Sequence, residues 1–231
     1  MGDHLPAVAA PLADARLLDA TLRITEIFHS LQGETSRVGL PTVFVRLTGC
    51  PLRCGYCDTA YAFHGGETRT LGDVLATVAG YGARYVTVTG GEPLAQKNCL
   101  PLLRLLCDAG CSVSLETSGA LDIGEVDARV ARILDLKTPG SGEVARNRWA
   151  NLDRLRSTDE IKFVICSEAD YEWVKQQLVE RELDRLCPVL LSPVSPGLAP
   201  TQLAEWILRD RLPVRFQIQL HKILWGAVPG R

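Results

Sequence analysis

Residues 50–57 read Cys50-Pro-Leu-Arg-Cys54-Gly-Tyr-Cys57, a C-x3-C-x2-C spacing that places three thiols in one short segment. The other five cysteines are scattered along the 231-residue chain. A chain of this length buries roughly 70–75% of its unfolded surface, so its core needs no disulfide framework. The three clustered cysteines therefore indicate a metal or cluster site.

Two kinds of site suit three neighbouring thiols. Structural zinc needs four tetrahedral ligands, and the fourth could come from His64 or from Cys107 and Cys111. Zinc ligands usually come as two C-x2-4-C pairs, and a second C-x2-C pair is missing from the sequence. Three thiolates instead suit a 4Fe–4S cubane held at three irons, which leaves the fourth iron open to another ligand. The spacing favours the cluster, and zinc remains the alternative.

Extended apolar segments alternate with helical patterns along the chain. The predicted strands are 42–48, 85–89, 112–116, 132–136, 161–166, 189–191 and 216–220. The predicted helices are 71–79, 100–109, 171–183 and 201–208. This alternation predicts β-α-β units and an α/β fold with a mostly parallel sheet. About six parallel strands indicate a partial, open β/α barrel, with residues 23–28 as an N-terminal extension and 216–220 as a C-terminal strand.

Composition limits the partners and the domain organisation. Lys and Arg number 25 against 27 Asp and Glu, so the net charge of −2 gives no strong attraction to nucleic acid or to an anionic membrane. No run of 18 uncharged apolar residues predicts a transmembrane helix. Residues 1–22 lack the basic region of a signal peptide and are expected to form a loosely ordered leader. Residues 23–231 contain no linker and are expected to form one domain of a cytoplasmic protein.

Polar and glycine-rich segments follow the carboxyl ends of the predicted strands. They are residues 49–57, 90–93, 117–119, 137–139, 166–168 and 192–197. In barrel folds these strand ends form one mouth, where loops from separate strands meet a ligand. Each segment alone could be an ordinary turn, but several in the same position favour a ligand site.

Two segments and one arginine have both a structural and a functional interpretation. Thr89–Pro93 could be a turn, although its glycines would also let the backbone approach a ligand and leave Glu92 to accept from an amine. Leu31–Glu34 could be a solvated turn or could grip two edges of a heterocycle such as a pterin. Arg46 lies inside a predicted strand, where its charge needs a partner: a neighbouring acid or a substrate carboxylate.

Other polar residues near these segments are similarly ambiguous. Asp58 and Thr59 could cap a turn, or the Thr59 hydroxyl could be a hard oxygen ligand for Mg²⁺. Lys137 could be a surface lysine, but it follows a strand end. His221 could cap the last strand, and Lys162 is expected to form a structural ion pair.

The cysteine segment with Tyr56 resembles the signature of the radical S-adenosylmethionine (SAM) superfamily, and Thr89–Pro93 resembles its glycine-rich motif for the SAM amino group. Within it, residues from about Glu26 to Trp225 resemble the 7-carboxy-7-deazaguanine synthase family. The closer resemblance is carried by Leu31–Glu34, Arg46, Cys57–Thr59, Thr89–Pro93, Glu116–Gly119 and His221-Lys222.

The resemblance implies a lyase of queuosine and 7-deazapurine biosynthesis. A reduced 4Fe–4S cluster would split SAM into methionine and a 5′-deoxyadenosyl radical, which takes a hydrogen atom from C6 of 6-carboxy-5,6,7,8-tetrahydropterin. Ring contraction and loss of ammonia would then give 7-carboxy-7-deazaguanine. The resemblance also implies Mg²⁺, a flavodoxin- or ferredoxin-type electron donor and a homodimer. The alternatives are another radical SAM enzyme, such as a glycyl-radical activase, or a non-catalytic zinc-binding module.

Site residues follow from the same resemblance. The implied metal ligands are Cys50, Cys54 and Cys57 for the cluster and Thr59 for Mg²⁺. The implied SAM contacts are Tyr56, Cys57, Asp58, Gly91, Glu92, Leu136, Lys137, Thr138, Ser192, Pro193, Val194 and Ser195. The implied substrate contacts are Leu31, Gln32, Gly33, Glu34, Arg46, Thr89 and His221. Neither a protein base nor a role for Cys99, Cys107, Cys111, Cys166 or Cys187 is predicted.

Overall fold

The computed structural model describes residues 15–226, 228 and 230. In chain order the elements are α1 (Ala15–Leu18), β1 (Thr21–Leu31), β2 (Pro41–Leu47), β3 (Glu67–Thr70), α2 (Leu71–Tyr81), β4 (Tyr85–Gly90), α3 (Cys99–Asp108), β5 (Ser112–Thr117), β6 (Ala131–Asp135), β7 (Glu160–Ile165), α4 (Glu168–Arg181), α5 (Leu183–Leu186), β8 (Val189–Pro193), α6 (Pro200–Asp210), β9 (Arg215–Phe216) and α7 (Leu220–Trp225). The strands form one sheet in the order β3-β1-β2-β4-β5-β6-β7-β8-β9.

The sheet is mostly parallel. Neighbouring strands from β2 to β9 pair in parallel, whereas β1 runs antiparallel to both β2 and β3. Parallel sheets bury both faces, and the valines of β2 and β4, such as Val43 and Val86, are fully buried. The predicted α/β fold with an open array of parallel strands is confirmed.

Local signals place the helices between the strands. The Thr70 side chain accepts from the Asp73 N–H at the start of α2, and Gly82 ends that helix in the left-handed conformation. The Ser167 side chain accepts from the Asp170 N–H at the start of α4. These caps fix where the helices begin and end, and because β2 and β4–β9 are parallel, the carboxyl ends of these strands lie at one edge of the sheet.

The C-terminal strand is shorter than predicted. Of the predicted strand 216–220, only Phe216 belongs to β9. Gln217 instead holds the turn after β1, because its side chain accepts from the Thr35 N–H and donates to the Thr35 carbonyl. The chain then enters α7, so the prediction that His221 caps a strand is wrong: it lies within this short helix.

Part of the predicted leader is ordered. Residues 15–22 form α1 and the start of β1, and Leu17 and Leu18 pack against the core. Residues 1–14 lie outside the described part of the chain, so the division into a leader and one domain stays a prediction. None of the helices within residues 15–226 is both long and apolar enough to cross a membrane.

Candidate active site

A pocket opens where the parallel strands end. Together with its open mouth, the space between its walls amounts to about 1300 Å³. The predicted residues that line it are Leu31, Gln32, Gly33, Glu34, Arg46, Cys50, Cys54, Tyr56, Cys57, Asp58, Thr59, Thr89, Gly91, Lys137, Val194, Ser195 and His221. Residues from distant parts of the sequence thus share one cavity.

The remaining predicted contacts lie outside the lining. They are Glu92, Leu136, Thr138, Ser192 and Pro193. Each is buried. Thr138 donates to the Val164 carbonyl and to Asp170, so its hydroxyl fastens the loop after β6 to α4. The contacts of these five residues with SAM stay predictions.

Glu92 orders the glycine-rich turn after β4. Its fully buried carboxylate accepts from the Thr117 hydroxyl at 2.9 Å, from the Ser118 N–H at 2.7 Å and from the Leu94 N–H at 3.0 Å. Beside it, Gly91 packs so closely on Gly49 and Cys50 that a β-carbon would lie 2.8 Å from the Cys50 β-carbon. Glu92 therefore joins the ends of β4 and β5 behind the three cysteines, and its contact with SAM stays a prediction.

The three cysteines are free thiols on one loop that lines the pocket. The loop is fastened by a hydrogen bond from the Gly55 N–H to the Ser141 carbonyl and by one from the Arg53 N–H to Glu143. Burial raises the pKa of the Cys50 and Cys54 thiols.

Their arrangement fits a cubane. Among the described residues, no three His, Cys, Asp or Glu side chains converge on a position for one metal ion. A 4Fe–4S cubane requires no such convergence, because each thiolate binds a different iron. Three unpaired thiols on one pocket wall therefore suit a group with three points of attachment.

Gln32 and Glu116 form a polar floor below this loop. Gln32 is almost completely buried, and its amide nitrogen lies 3.2 Å from both Glu116 Oε1 and the Thr87 hydroxyl. Glu116 also accepts from the Thr89 hydroxyl at 3.0 Å. Burial and the nearby charge of Glu34 raise the pKa of Glu116. Glu116 belongs to the Glu116–Gly119 motif of the sequence analysis, but no role was predicted for it. The signal that could have indicated a role was a carboxylate inside an apolar strand.

A row of charges crosses the pocket beside this floor. Lys137 Nζ lies 3.0 Å from Asp135 Oδ1, and Lys162 forms ion pairs with Asp135 and Glu34. Burial favours a lower pKa for Lys162, but the charges of Glu34 and Asp135 outweigh it and raise the pKa. The predicted ion pairing of Lys162 is thus observed, in the pocket. Asp135 was missed, although a charge at a buried strand end was the available signal.

Arg46 lies at the mouth between two aromatic rings. Its Nε donates to Glu26 at 2.7 Å, and its guanidinium carbon lies about 6 Å from the ring centres of Phe28 and Tyr61. Tyr61 donates to the same Glu26 oxygen. Within the described residues, the terminal nitrogens of Arg46 make no hydrogen bond, so they can bind a carboxylate.

Helix α7 closes another side of the pocket. Lys222 Nζ lies 2.8 Å from Asp58 Oδ2, and the Thr59 hydroxyl donates to Asp58 Oδ1 at 2.9 Å. Although burial opposes it, hydrogen bonding to Lys222 lowers the pKa of Asp58 to about 2. Gln219 donates to Glu34 at 2.7 Å. Neither Gln219 nor Lys222 had a predicted role, although Lys222 belongs to the His221-Lys222 motif that carries the family resemblance.

Sequence comparisons connect the chain to known proteins. Residues 44–144 match the model of the Radical SAM superfamily. A 7-carboxy-7-deazaguanine synthase of Chlorobaculum tepidum is 46% identical over 211 residues, which cover 90% of this chain and 96% of that protein. A protein of the same name from Koribacter versatilis is 40% identical over 219 residues, which cover 88% of this chain and 97% of that protein.

Two solved structures resemble the fold. QueE from Escherichia coli matches with a TM-score of 0.72 at 26% sequence identity, covering 91% of this chain and all of that one. Streptococcus suis SuiB bound to S-adenosylmethionine matches with a TM-score of 0.53 at 14% identity, covering 74% of this chain and 45% of that one. The second likeness concerns the fold alone.

Proposed function

This chain belongs to the 7-carboxy-7-deazaguanine synthase family of radical SAM enzymes, and from that premise we propose how its pocket forms the 7-deazapurine ring from 6-carboxy-5,6,7,8-tetrahydropterin. As a member of the family it is an enzyme that uses a 4Fe–4S cluster, SAM and a small-molecule substrate. The observation that carries the assignment of residues is one pocket that joins three free thiols, a buried amide–carboxylate floor and an arginine.

The three cysteines hold the cluster in this proposal. When bound, the cluster supplies the electron for the reductive cleavage of SAM. The chain keeps the thiols in place through the bonds from Gly55 to Ser141 and from Arg53 to Glu143, which fix the loop against the segment after β6. Gly91 gives this loop the space to pack against the end of β4. A fixed loop keeps the reacting groups at a constant separation.

The substrate binds between the polar floor and Arg46. The pyrimidine edge of a pterin presents neighbouring N–H donors beside an oxygen acceptor. Glu34 and Glu116 can accept from such donors, and the Gln32 amide can both donate and accept. Arg46 takes the substrate carboxylate through its terminal nitrogens, because Glu26 occupies only Nε. Leu31, Gly33, Thr89 and His221 complete this half of the pocket.

SAM occupies the half beside the cluster loop. Lys137 is a buried ammonium that can pair with the carboxylate of the methionyl group. Tyr56, Asp58, Val194 and Ser195 line the same half. The chemistry that SAM would supply is the removal of a hydrogen atom, for which no residue of the chain need act as a base. What the residues contribute is orientation and the exclusion of water from a reactive intermediate.

Thr59 is the proposed ligand for Mg²⁺. Its hydroxyl hydrogen points to Asp58, which leaves the oxygen lone pairs for a hard cation, with substrate oxygens and water as further ligands. Such a cation would neutralise the substrate carboxylate.

The further parts of the proposal are a flavodoxin- or ferredoxin-type electron donor, a homodimer and a cytoplasmic location. These three parts rest on the family resemblance.

The test is anaerobic reconstitution with iron and sulfide, followed by incubation with SAM, a low-potential reductant and the carboxytetrahydropterin. We expect 7-carboxy-7-deazaguanine to form only when all three are present, and Cys54→Ala to form none. 5′-Deoxyadenosine without the deazapurine would favour a radical SAM enzyme that acts on another substrate. A colourless protein with stoichiometric zinc and no SAM cleavage would contradict the proposal.

A further inference from the structure

The charged row in the pocket consists of Lys137, Asp135, Lys162 and Glu34, in which positive and negative side chains alternate. Lys137 Nζ lies 3.0 Å from Asp135 Oδ1, Lys162 Nζ lies 3.7 Å from Asp135 Oδ2, and Lys162 also contacts Glu34. All four residues line the pocket. Among the described residues, Asp135 is the carboxylate that the two lysines share.

Strand pairing fixes the middle of this row. Asp135 ends β6 and is the register partner of Lys162 in β7, so both side chains project from the same face of the sheet. Lys137 follows two residues later in the loop after β6. The two ends of the row belong to different halves of the pocket: Lys137 to the proposed SAM half and Glu34 to the proposed substrate half.

Asp135 is held closely by Lys137 and only loosely by Lys162. Its buried Oδ1 lies 3.0 Å from Lys137 Nζ, within the distance of a charge-assisted hydrogen bond. Its Oδ2 lies beyond hydrogen-bond distance of Lys162. A ligand group that competes for Lys137 therefore leaves Asp135 with a second ammonium group, that of Lys162, on its other side.

We propose that Asp135 is a positioning residue that couples the two halves of the pocket, so that SAM and the pterin each strengthen the binding of the other. This inference rests on the proposed function. When a ligand carboxylate pairs with Lys137, Asp135 shifts toward Lys162, which in turn releases Glu34 to accept from the N–H edge of the pterin. By thermodynamic linkage, the same factor applies to both ligands.

The experiment uses cluster-loaded protein without reductant, so that SAM stays intact. The dissociation constant of 6-carboxypterin, an aromatic analogue that keeps the carboxylate, is measured with and without saturating SAM. We expect SAM to tighten binding of the analogue at least about 5-fold, the lower end of typical coupling between sites. The analogue should tighten SAM binding by the same factor.

Asp135→Asn keeps the shape of the side chain and removes its charge. The coupling factor, which is the ratio of the dissociation constants of 6-carboxypterin without and with SAM, should therefore fall to about one. The matched control is Asp108→Asn, which removes a carboxylate from a surface ion pair with Arg129 and should keep the wild-type factor. Lys162→Met interrupts the same row on its other side and should also abolish coupling. This second variant keeps the inference testable if Asp135→Asn does not load with the cluster.

The outcomes separate the inference from the function. A coupling factor of one in the wild type overturns the inference, as does wild-type coupling in Asp135→Asn. Wild-type protein that binds neither SAM nor 6-carboxypterin contradicts the proposed function, and the inference with it. Binding of both ligands without coupling contradicts the inference alone.

Discussion

Gly33 lies directly against His221, so that a β-carbon at position 33 would collide with the imidazole Nδ1. The Leu220 N–H also donates to the Gly33 carbonyl at 3.0 Å. The turn after β1 and helix α7 are therefore in contact at one wall of the pocket. This contact connects the substrate half of the pocket to the C-terminal part of the chain.

Gly33→Ala should raise KM for the pterin, because the added methyl group displaces His221 and α7 from the pocket. Iron content should be unchanged, since the cluster loop is not in contact with Gly33. The effect should be about 10-fold, equivalent to about 1.4 kcal/mol, and steady-state kinetics measure it. In a double-mutant cycle, Gly33→Ala should add little to His221→Ala, because the collision is then removed.

Gly80→Ala is the matched control for Gly33→Ala. Gly80 is exposed in α2 and has open space around the position of a β-carbon. The substitution should stabilise the protein by about 0.5–1 kcal/mol, since alanine is the better helix former, and should leave KM unchanged. Equal KM values for Gly33→Ala and the wild type would refute the role of the contact.

Glu92→Gln should destabilise the fold. A glutamine amide has one oxygen where the carboxylate has two, so donors from Thr117, Ser118 and Leu94 cannot all be satisfied. The free energy of unfolding should fall by about 1.5–3 kcal/mol, the range for hydrogen bonds to a charged group. Urea denaturation measures it, with exposed Glu125→Gln as the control. A loss below about 0.5 kcal/mol would contradict this role.

The sheet was predictable because parallel strands are buried on both faces. Strand β4 was predicted at 85–89 and is observed at Tyr85–Gly90, and such apolar runs are easily recognised. The end of the predicted strand 216–220 was not predictable, because two hydrogen bonds between the Gln217 side chain and the Thr35 backbone hold the chain out of the sheet. These bonds join residues 182 positions apart, and no local pattern contains them.

The site was predictable where residue type and spacing carry the chemistry, as in the three cysteines. Asp135 was missed for a physical reason. A charge at the end of a buried strand suits a structural ion pair as well as a ligand site. Only the register that pairs Asp135 with Lys162 places both in the pocket. Glu92 is the opposite case. Its motif predicts contact with a ligand, whereas the hydrogen bonds observed in the structure join it to other residues of the chain.

Arg46→Gln should weaken recognition of the substrate carboxylate. Loss of a charge-assisted pair corresponds to about 1.5–3 kcal/mol, or about 10- to 150-fold in affinity. The measurement compares the dissociation constants of 6-carboxypterin and pterin. Arg46→Gln should reduce the preference for the carboxylated ligand and leave pterin affinity nearly unchanged. Equal weakening of both ligands would show that Arg46 acts on the shape of the pocket instead.

Thr59→Ala should weaken the dependence of activity on Mg²⁺ and leave the cluster intact. The substitution removes the hydroxyl oxygen proposed as a ligand, whereas the cysteine loop keeps its own hydrogen bonds. Activity is titrated with Mg²⁺, and iron and sulfide are quantified in the same preparation. Thr68→Ala in β3 is a control outside the pocket lining. A wild-type Mg²⁺ response in Thr59→Ala would reject the ligand role.

Glu116→Gln should reduce activity and remove a loss of stability that the wild type undergoes as the pH rises. Burial and the charge of Glu34 raise the pKa of Glu116 above its ordinary value of 4.5. The folded wild type therefore binds a proton more strongly than the unfolded chain, and this contribution to its stability is lost as pH rises through the folded pKa. A neutral glutamine does not titrate, so the stability of the variant relative to the wild type should increase with pH.

Urea denaturation of both proteins at several pH values between 5 and 8 measures this difference. Exposed Glu125→Gln is the control, and its difference from the wild type should stay near zero throughout. The rise is the decisive result, because a carboxylate with a lowered pKa is ionised in both the folded and the unfolded state over most of this pH range and would leave the difference nearly constant. A difference between Glu116→Gln and the wild type that does not change with pH would mean that Glu116 is not held above its ordinary pKa by the pocket.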